Sequence, residues 1–157
     1  MVEIERKFLV NSDAFRQEAR HTFRIVQGFL NRDPERTVRV RLKENIGMIT
    51  VKGKSSNDGL TRFEWEKEIS KLEAESLLKL CELGVIDKIR YEIPLRNHVF
   101  EVDEFFGDNK GLVVAEVELI TEDEVFVKPP WLGEEVTGDI KYYNSQLSKE
   151  PYNTWEE

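Results

Sequence analysis

The chain has 157 residues, 39% hydrophobic and 34% charged, with a formal net charge of −8 at pH 7. That length fits one domain spanning 1–157 with a core of its own, and the regular recurrence of Phe, Trp, Ile, Val and Leu excludes disorder. The acidic balance excludes nucleic acid as the main partner, and the lack of any apolar run of membrane-spanning length, or of a leader segment, predicts a cytoplasmic protein with no membrane partner.

The first strand candidate, 2–10, alternates charged and apolar residues. In a strand, successive side chains point to opposite faces, so Glu3, Glu5 and Lys7 share one face. Two carboxylates roughly 7 Å apart with a lysine in line form half of a metal–triphosphate site. Ser12-Asp13 is placed to cap a short helix running to about Arg20. Strand patterns follow at 23–31, at 36–44 with Arg39, Arg41 and Lys43 on one face, at 47–54 with Lys52 and Lys54, and at 61–69 with Glu64, Glu66 and Glu68. The run Lys71 to Leu83 reads as a helix with Leu72, Leu77, Leu80 and Cys81 toward one side, ended by Gly84. As the single cysteine, Cys81 cannot form an internal disulfide and reads as a small packing residue, as do Trp65, Trp131 and Tyr91. Three more strands are predicted, at 86–95 with Lys88 and Arg90, at 98–106 with Glu101 and Asp103, and at 112–120 with Glu116 and Glu118. Thr121 to Glu124 has the form of a capping box before a short helix that stops at Pro129-Pro130, and Gly138-Asp139 opens a last helix from about Ile140 to Ser148. The fold class is mainly β (α+β), an antiparallel barrel or sandwich with a few packing helices.

Two architectures fit this alternation. In one, apolar faces meet in a common core and charged faces meet solvent. In the other, the strands close into a barrel with a polar interior, and helices cover its apolar exterior. The charges favour the second. Arg39, Arg41 and Lys43 share a strand, Lys52 and Lys54 another, and Glu64, Glu66 and Glu68 a third, although like charges next but one along a strand repel. Such sorting makes sense where a strongly anionic ligand meets the basic strands and a cation meets the acidic ones. An enclosed set comprising Lys7, Arg39, Arg41, Lys52, Lys54 and Arg90 against Glu3, Glu5, Glu64, Glu66, Asp103, Glu116 and Glu118 needs balanced charge. A divalent metal on the acids and a phosphate chain on the cations would supply it. Glu68, Lys43 and Glu101 read as solvated strand ends, and His21 and His98 as surface residues.

In combination, Glu3-x-Glu5-x-Lys7, Arg39-x-Arg41, Lys52, Glu64-x-Glu66 and Glu116-x-Glu118 resemble the CYTH superfamily, the triphosphate tunnel metalloenzymes. The resemblance runs from Val2 to about Tyr143. It implies an eight-stranded antiparallel closed β-barrel and hydrolysis of inorganic tripolyphosphate or a nucleoside triphosphate with Mg²⁺ or Mn²⁺. It also implies a basic residue on a terminal helix over the tunnel mouth, which Lys141 matches. One departure is Phe29, where similar short members often have tyrosine; the missing hydroxyl bears on substrate preference.

The expected roles follow from this resemblance. Glu3, Glu5, Glu116 and Glu118 hold the metal, and Lys7, Arg39, Arg41, Lys52, Lys54, Arg90 and Lys141 hold the triphosphate, with Arg gripping phosphate bidentately. Glu64 and Glu66, with Asp103 and Lys88 in the same shell, orient or deprotonate the attacking water. The alternatives are a class IV adenylyl cyclase and a non-catalytic polyphosphate or nucleotide sensor. The sequence leaves a homodimer open.

Overall fold

The computed structural model describes residues 1–155. Eight long strands are present: β1 (Val2–Val10), β2 (His21–Asn31), β3 (Arg36–Lys43), β4 (Ile46–Ser55), β5 (Thr61–Ile69), β6 (Ile86–Leu95), β7 (His98–Phe105) and β8 (Val113–Glu118). They hydrogen-bond antiparallel in the order β5-β4-β3-β2-β6-β7-β8-β1. β1 then pairs back onto β5 through Val2 with Phe63, Glu3 with Arg62 and Ile4 with Thr61, which closes the barrel. A short ninth strand, β9 (Leu132–Glu135), takes over the same edge of β1 further along, pairing Phe8 with Glu135 and Val10 with Leu132. Among the described residues no helix is long and apolar enough to cross a membrane.

The charged faces turn inward. Closing the barrel is favourable because the opposite face of each strand is apolar and is covered in two places. On one wall Phe8, Phe100, Val102, Ala115 and Val117 pack with Phe15 of α1 (Phe15–Glu18), Phe126 and Trp131. Edge-to-face contacts of Phe100 with Trp131 and Phe126, at 5.7 and 5.9 Å, order this cluster,. On another wall lies α2 (Lys71–Leu78), started by Ser70 and Glu73 in a reciprocal capping box,. α2 lies tight on the sheet because a Cβ on Gly47 would stand 2.8 Å from that of Ala74, and one on Gly28 would stand 2.8 Å from that of Cys81. A third apolar group, Ile86, Phe105, Leu112, Val114, Val136, Tyr142 and Leu147, stops one end of the barrel.

Several expectations are corrected. α2 ends at Leu78 rather than Leu83, and Leu72 and Leu80 are 74% and 73% exposed; Ala74, with the glycines beneath it, takes the buried position instead. No helix forms after Thr121. Glu124 turns back to accept from the Ile120 amide and to pair with His98, and Phe126 is buried between the exposed Val125 and Val127, an extended alternation with no helical stripe to bury,. This pairing leaves His98 largely enclosed rather than on the surface. The last helix divides into a 3₁₀ turn, Ile140–Tyr142, and α3 (Asn144–Leu147), with Tyr143 extended between them. Trp65 faces outward and is 38% exposed, whereas Trp131 is buried.

Candidate active site

The barrel interior is a polar cavity of about 220 Å³. β1 supplies Glu3, Glu5 and Lys7; β3 supplies Thr37, Arg39 and Arg41; β4 supplies Lys52; and β5 supplies Arg62, Glu64 and Glu66. β6 supplies Lys88 and Arg90, β7 supplies Glu101, and β8, next to β1, supplies Glu116 and Glu118. Strand register sets the neighbours: Glu5 lies opposite Glu118, Lys7 opposite Glu116, and Lys52 opposite Glu64.

The carboxylates gather on the β5-β1-β8 side. Lys52 Nζ donates to Glu3 Oε1 at 3.0 Å and lies 3.2 Å from Glu64 Oε2. Burial opposes ionisation of Glu3, but Lys52 overrides it and holds Glu3 below the usual carboxylate range. Glu5 is pushed well above that range, by burial first and then by Glu116 and Glu3 beside it. Glu116 goes the other way despite its burial, because the Lys7 ammonium and a hydrogen bond with Glu5 favour its charged form. Of this pair Glu5 therefore holds its proton more tightly than Glu116 does,. Burial and the nearby Glu3 raise Glu118 as well. Glu64 is raised to about 7 by burial and by Glu3, with Lys52 partly offsetting both.

The cations gather on the β3 and β6 side. Arg39 Nη2 donates to Thr50 Oγ1 at 3.2 Å and stands 3.5 Å from Glu66, while its buried Nε has no hydrogen-bond partner among the described residues. Arg41 donates to Gln27 Oε1 at 2.9 Å, and burial followed by repulsion from Arg39 and Arg90 lowers its guanidinium to about 9. Arg90 grips Asp103 bidentately at 2.7 and 2.9 Å and reaches Glu101 at 3.2 Å. Lys88 contacts Asp103 at 2.8 Å and Asn144 Oδ1 at 2.8 Å. Its ammonium is lowered to about 7, because burial together with Arg90 and Arg41 outweighs Asp103. Lys7 lies 4.9 Å from the centre of the Tyr143 ring.

Residues 1–151 match the CYTH domain family. The chain belongs to the CYTH family. It is 47% identical over 156 residues to an inorganic triphosphatase of Acetivibrio thermocellus, covering 99% of this chain and 98% of the relative. A second inorganic triphosphatase, from Nitrosomonas europaea, is 37% identical over 151 residues, covering 94% and 97%. Among solved structures, a crystal structure of an inorganic triphosphatase superimposes with a TM-score of 0.66 at 33% identity, covering 93% of this chain and 97% of that one. A Pyrococcus horikoshii protein shares the CYTH fold at a TM-score of 0.62 and 23% identity, covering 77% and 80%.

Of the residues singled out in this CYTH sequence, Glu3, Glu5, Lys7, Arg39, Arg41, Lys52, Glu64, Glu66, Lys88, Arg90, Glu116 and Glu118 line one cavity. Three lie elsewhere. Lys54 is turned out by an irregularity in the β4–β5 pairing between Lys52 and Ser55, and faces a second cavity,. Lys141 sits on the 3₁₀ turn with its ammonium over Trp155 at 4.8 Å, away from the tunnel. Asp103 is 2% exposed and already holds two cations, so it braces Arg90 and Lys88 from behind the lining. Glu101 corrects the sequence reading in the other direction, because it lines the tunnel. Arg62 was missed although it lies two positions before Glu64 on the same strand, a period-two signal. Gln27 and Asn144 carry no charge and had no signal. They link Arg41 to Lys88, since Gln27 Nε2 donates to the same Asn144 oxygen at 2.7 Å.

Proposed function

We propose that this CYTH protein is a divalent-metal-dependent inorganic triphosphatase, which hydrolyses the terminal phosphoanhydride of tripolyphosphate inside the barrel. The observation that carries this reading is the unspent charge of the lining. Among the described residues Lys7, Arg41 and Arg62 face the cavity with no carboxylate in ion-pair contact, and Glu5, Glu116 and Glu118 face it with no cation in ion-pair contact. A phosphate chain and a cation would satisfy both sides at once. The names of the two bacterial relatives support the same activity.

The acidic side fits a metal by its donor chemistry. Glu3, Glu5, Glu116 and Glu118 offer hard oxygen ligands of the kind Mg²⁺ and Mn²⁺ prefer. Among the described residues no three acids are already placed to hold a metal ion, so the reading rests on the donor chemistry of these four acids and not on a preformed cage. When bound, such a cation supplies charge neutralisation at the phosphate oxygens.

The protein's own side chains do the rest. Lys7, Arg39, Arg41, Lys52, Arg62 and Arg90 hold the triphosphate extended along the tunnel, the arginines by paired N–H donors and the lysines as point charges. Water attacks the terminal phosphorus in line, the P–O bond to the bridging oxygen breaks, and orthophosphate and pyrophosphate result. Glu64, titrating near 7 beside Lys52, is suited to accept the proton from that water,. Glu66, tied to Thr50 at 3.0 Å, orients Arg39. Phe29, also in the lining, contributes no hydrogen bond to the substrate,.

The test is phosphate release from tripolyphosphate, ATP, GTP and thiamine triphosphate with Mg²⁺, with Mn²⁺ and with EDTA. Metal-dependent release with tripolyphosphate preferred is expected. Tight tripolyphosphate binding without any release would replace the enzyme with a sensor.

A further inference from the structure

Beside the tunnel lies a larger cavity of about 590 Å³, walled by the β2–β3 turn, the β4–β5 turn and the segment carrying α3. Ser55, Gly59, Arg62, Gly138, Tyr143 and Ser145 line both spaces and form the partition between them. At its centre the Tyr143 hydroxyl lies 3.3 Å from Ser55 Oγ. Of the substrate grip described above, Arg62 alone reaches this second space.

Its charge is one-sided. Arg32, Lys54, Arg62 and Lys149 face it, against Asp33 and Glu82. Both carboxylates are already engaged: Glu82 accepts from Arg32 at 2.8 Å, and Asp33 pairs with Arg36. No ion pair to Lys54 or Lys149 is found among the described residues. In a chain of net charge −8, two uncompensated lysines around a concavity that shares a wall with an anion tunnel mark a place for an anion,. The β4–β5 irregularity strengthens the point, because it turns Lys54 from the tunnel face to this one,. The ligand is compact and polyanionic rather than a nucleoside. Among the described wall residues Tyr143 is the one aromatic ring, with Lys7 and Arg62 already 4.9 and 5.9 Å from its centre, so the wall offers no pair of rings to sandwich a base.

We propose that this cavity is a second binding site for inorganic condensed phosphate, a vestibule holding the anion as it enters or leaves the tunnel past Tyr143 and Ser55. The proposal rests on the triphosphatase reading, because that reaction brings tripolyphosphate in and sends pyrophosphate out.

Calorimetric titration of the full chain with pyrophosphate and Mg²⁺ tests it. Two pyrophosphates per chain are expected. The double variant Lys54→Met/Lys149→Met, with its melting temperature checked, should retain one and bind the other at least about tenfold more weakly. Arg39→Ala should lose the tunnel ion and keep the vestibule ion. One pyrophosphate per chain, unaffected by the lysine changes, overturns the vestibule. Binding unaffected by Arg39→Ala overturns the tunnel reading instead. Steady-state kinetics of the lysine variant then separate the two sources. A fall in kcat/KM for tripolyphosphate assigns the site to arriving substrate, and weaker inhibition by added pyrophosphate assigns it to departing product; if neither changes, the vestibule is refuted.

Discussion

Asp103→Asn isolates the bracing role of a residue that sequence alone would have placed in the chemistry. In the folded protein this carboxylate is 2% exposed and faces two cations, the Arg90 guanidinium at 2.7 and 2.9 Å and the Lys88 ammonium at 2.8 Å, themselves 9% and 1% exposed at the side chain. An amide keeps the shape and removes the charge, leaving two buried cations with less compensation. Breaking a buried pair in this way costs about 3–5 kcal/mol. For a chain of this length each kcal/mol lowers the melting temperature by about 2–4 °C, so a drop of roughly 6–20 °C is expected. The drop should shrink at high pH, because Lys88, already lowered to about 7, can shed its proton there. The assay is differential scanning calorimetry of the metal-free protein at pH 6 and pH 9, with Asp103→Asn/Lys88→Met as the companion that removes one stranded cation and recovers part of the loss. A melting temperature within about 2 °C of the parent, combined with a collapse of kcat, would refute the bracing role and return Asp103 to the catalytic group.

Glu5→Gln should raise the metal-free melting temperature at pH 7, because burial and the neighbouring acids disfavour the charged form of Glu5 that the unfolded chain carries, and an amide removes that penalty,. It should also reduce Mg²⁺-dependent turnover by about a hundredfold or more, measured as phosphate release across a metal titration. Glu64, raised to about 7, should give kcat/KM for tripolyphosphate a limb that rises with pH through about 7, and Glu64→Gln should remove that limb in a stopped pH–rate series,. The same shift has the opposite sign for stability. The folded state favours protonated Glu64, so its contribution is full below the usual carboxylate value and is lost as pH rises through 7, which pH-dependent melting curves would record. Gly84→Ala should destabilise by about 1–3 kcal/mol or more in urea denaturation, since this position has φ of +94° and an added Cβ would stand 1.7 Å from the Ser148 carbonyl oxygen,.

Much of the barrel was legible because its strands obey a period of two over most of their length. Charge on alternate residues of 36–44 and 61–69 gave both the strand and the face, and the structure pairs Arg39 with Thr50 and Lys52 with Glu64 in the matching register. The reading failed where tertiary contacts overrule local pattern. Leu72 and Leu80 read as the buried side of a helix, but the glycine at 47 lets α2 settle on Ala74 instead, while Cys81, past the end of α2, packs over Gly28 on the side that reading gave it. β9 gave no signal because four residues along an existing edge need no alternation of their own. Lys54 obeyed the period and still missed the tunnel, since one irregularity after Lys52 reverses the face,. Asn144 joins the lining with Gln27 buried behind it, through a contact 117 positions apart in the chain that local sequence pattern does not encode.

The closing seam has a consequence for how the protein comes into being. The barrel shuts where Val2–Ile4 meets Thr61–Phe63, and the other edge of the same first strand waits for β8, more than a hundred positions later. Such distant pairings form slowly and late. Glu3 and Glu5 stand more than a hundred positions ahead of their partners on β8, so the first strand keeps an unpartnered edge until that last long strand has formed. No shorter intermediate brings together Glu3, Glu5, Glu116 and Glu118, the four acids proposed to hold the metal, and the proposed capacity to bind it should arise in a single step with closure.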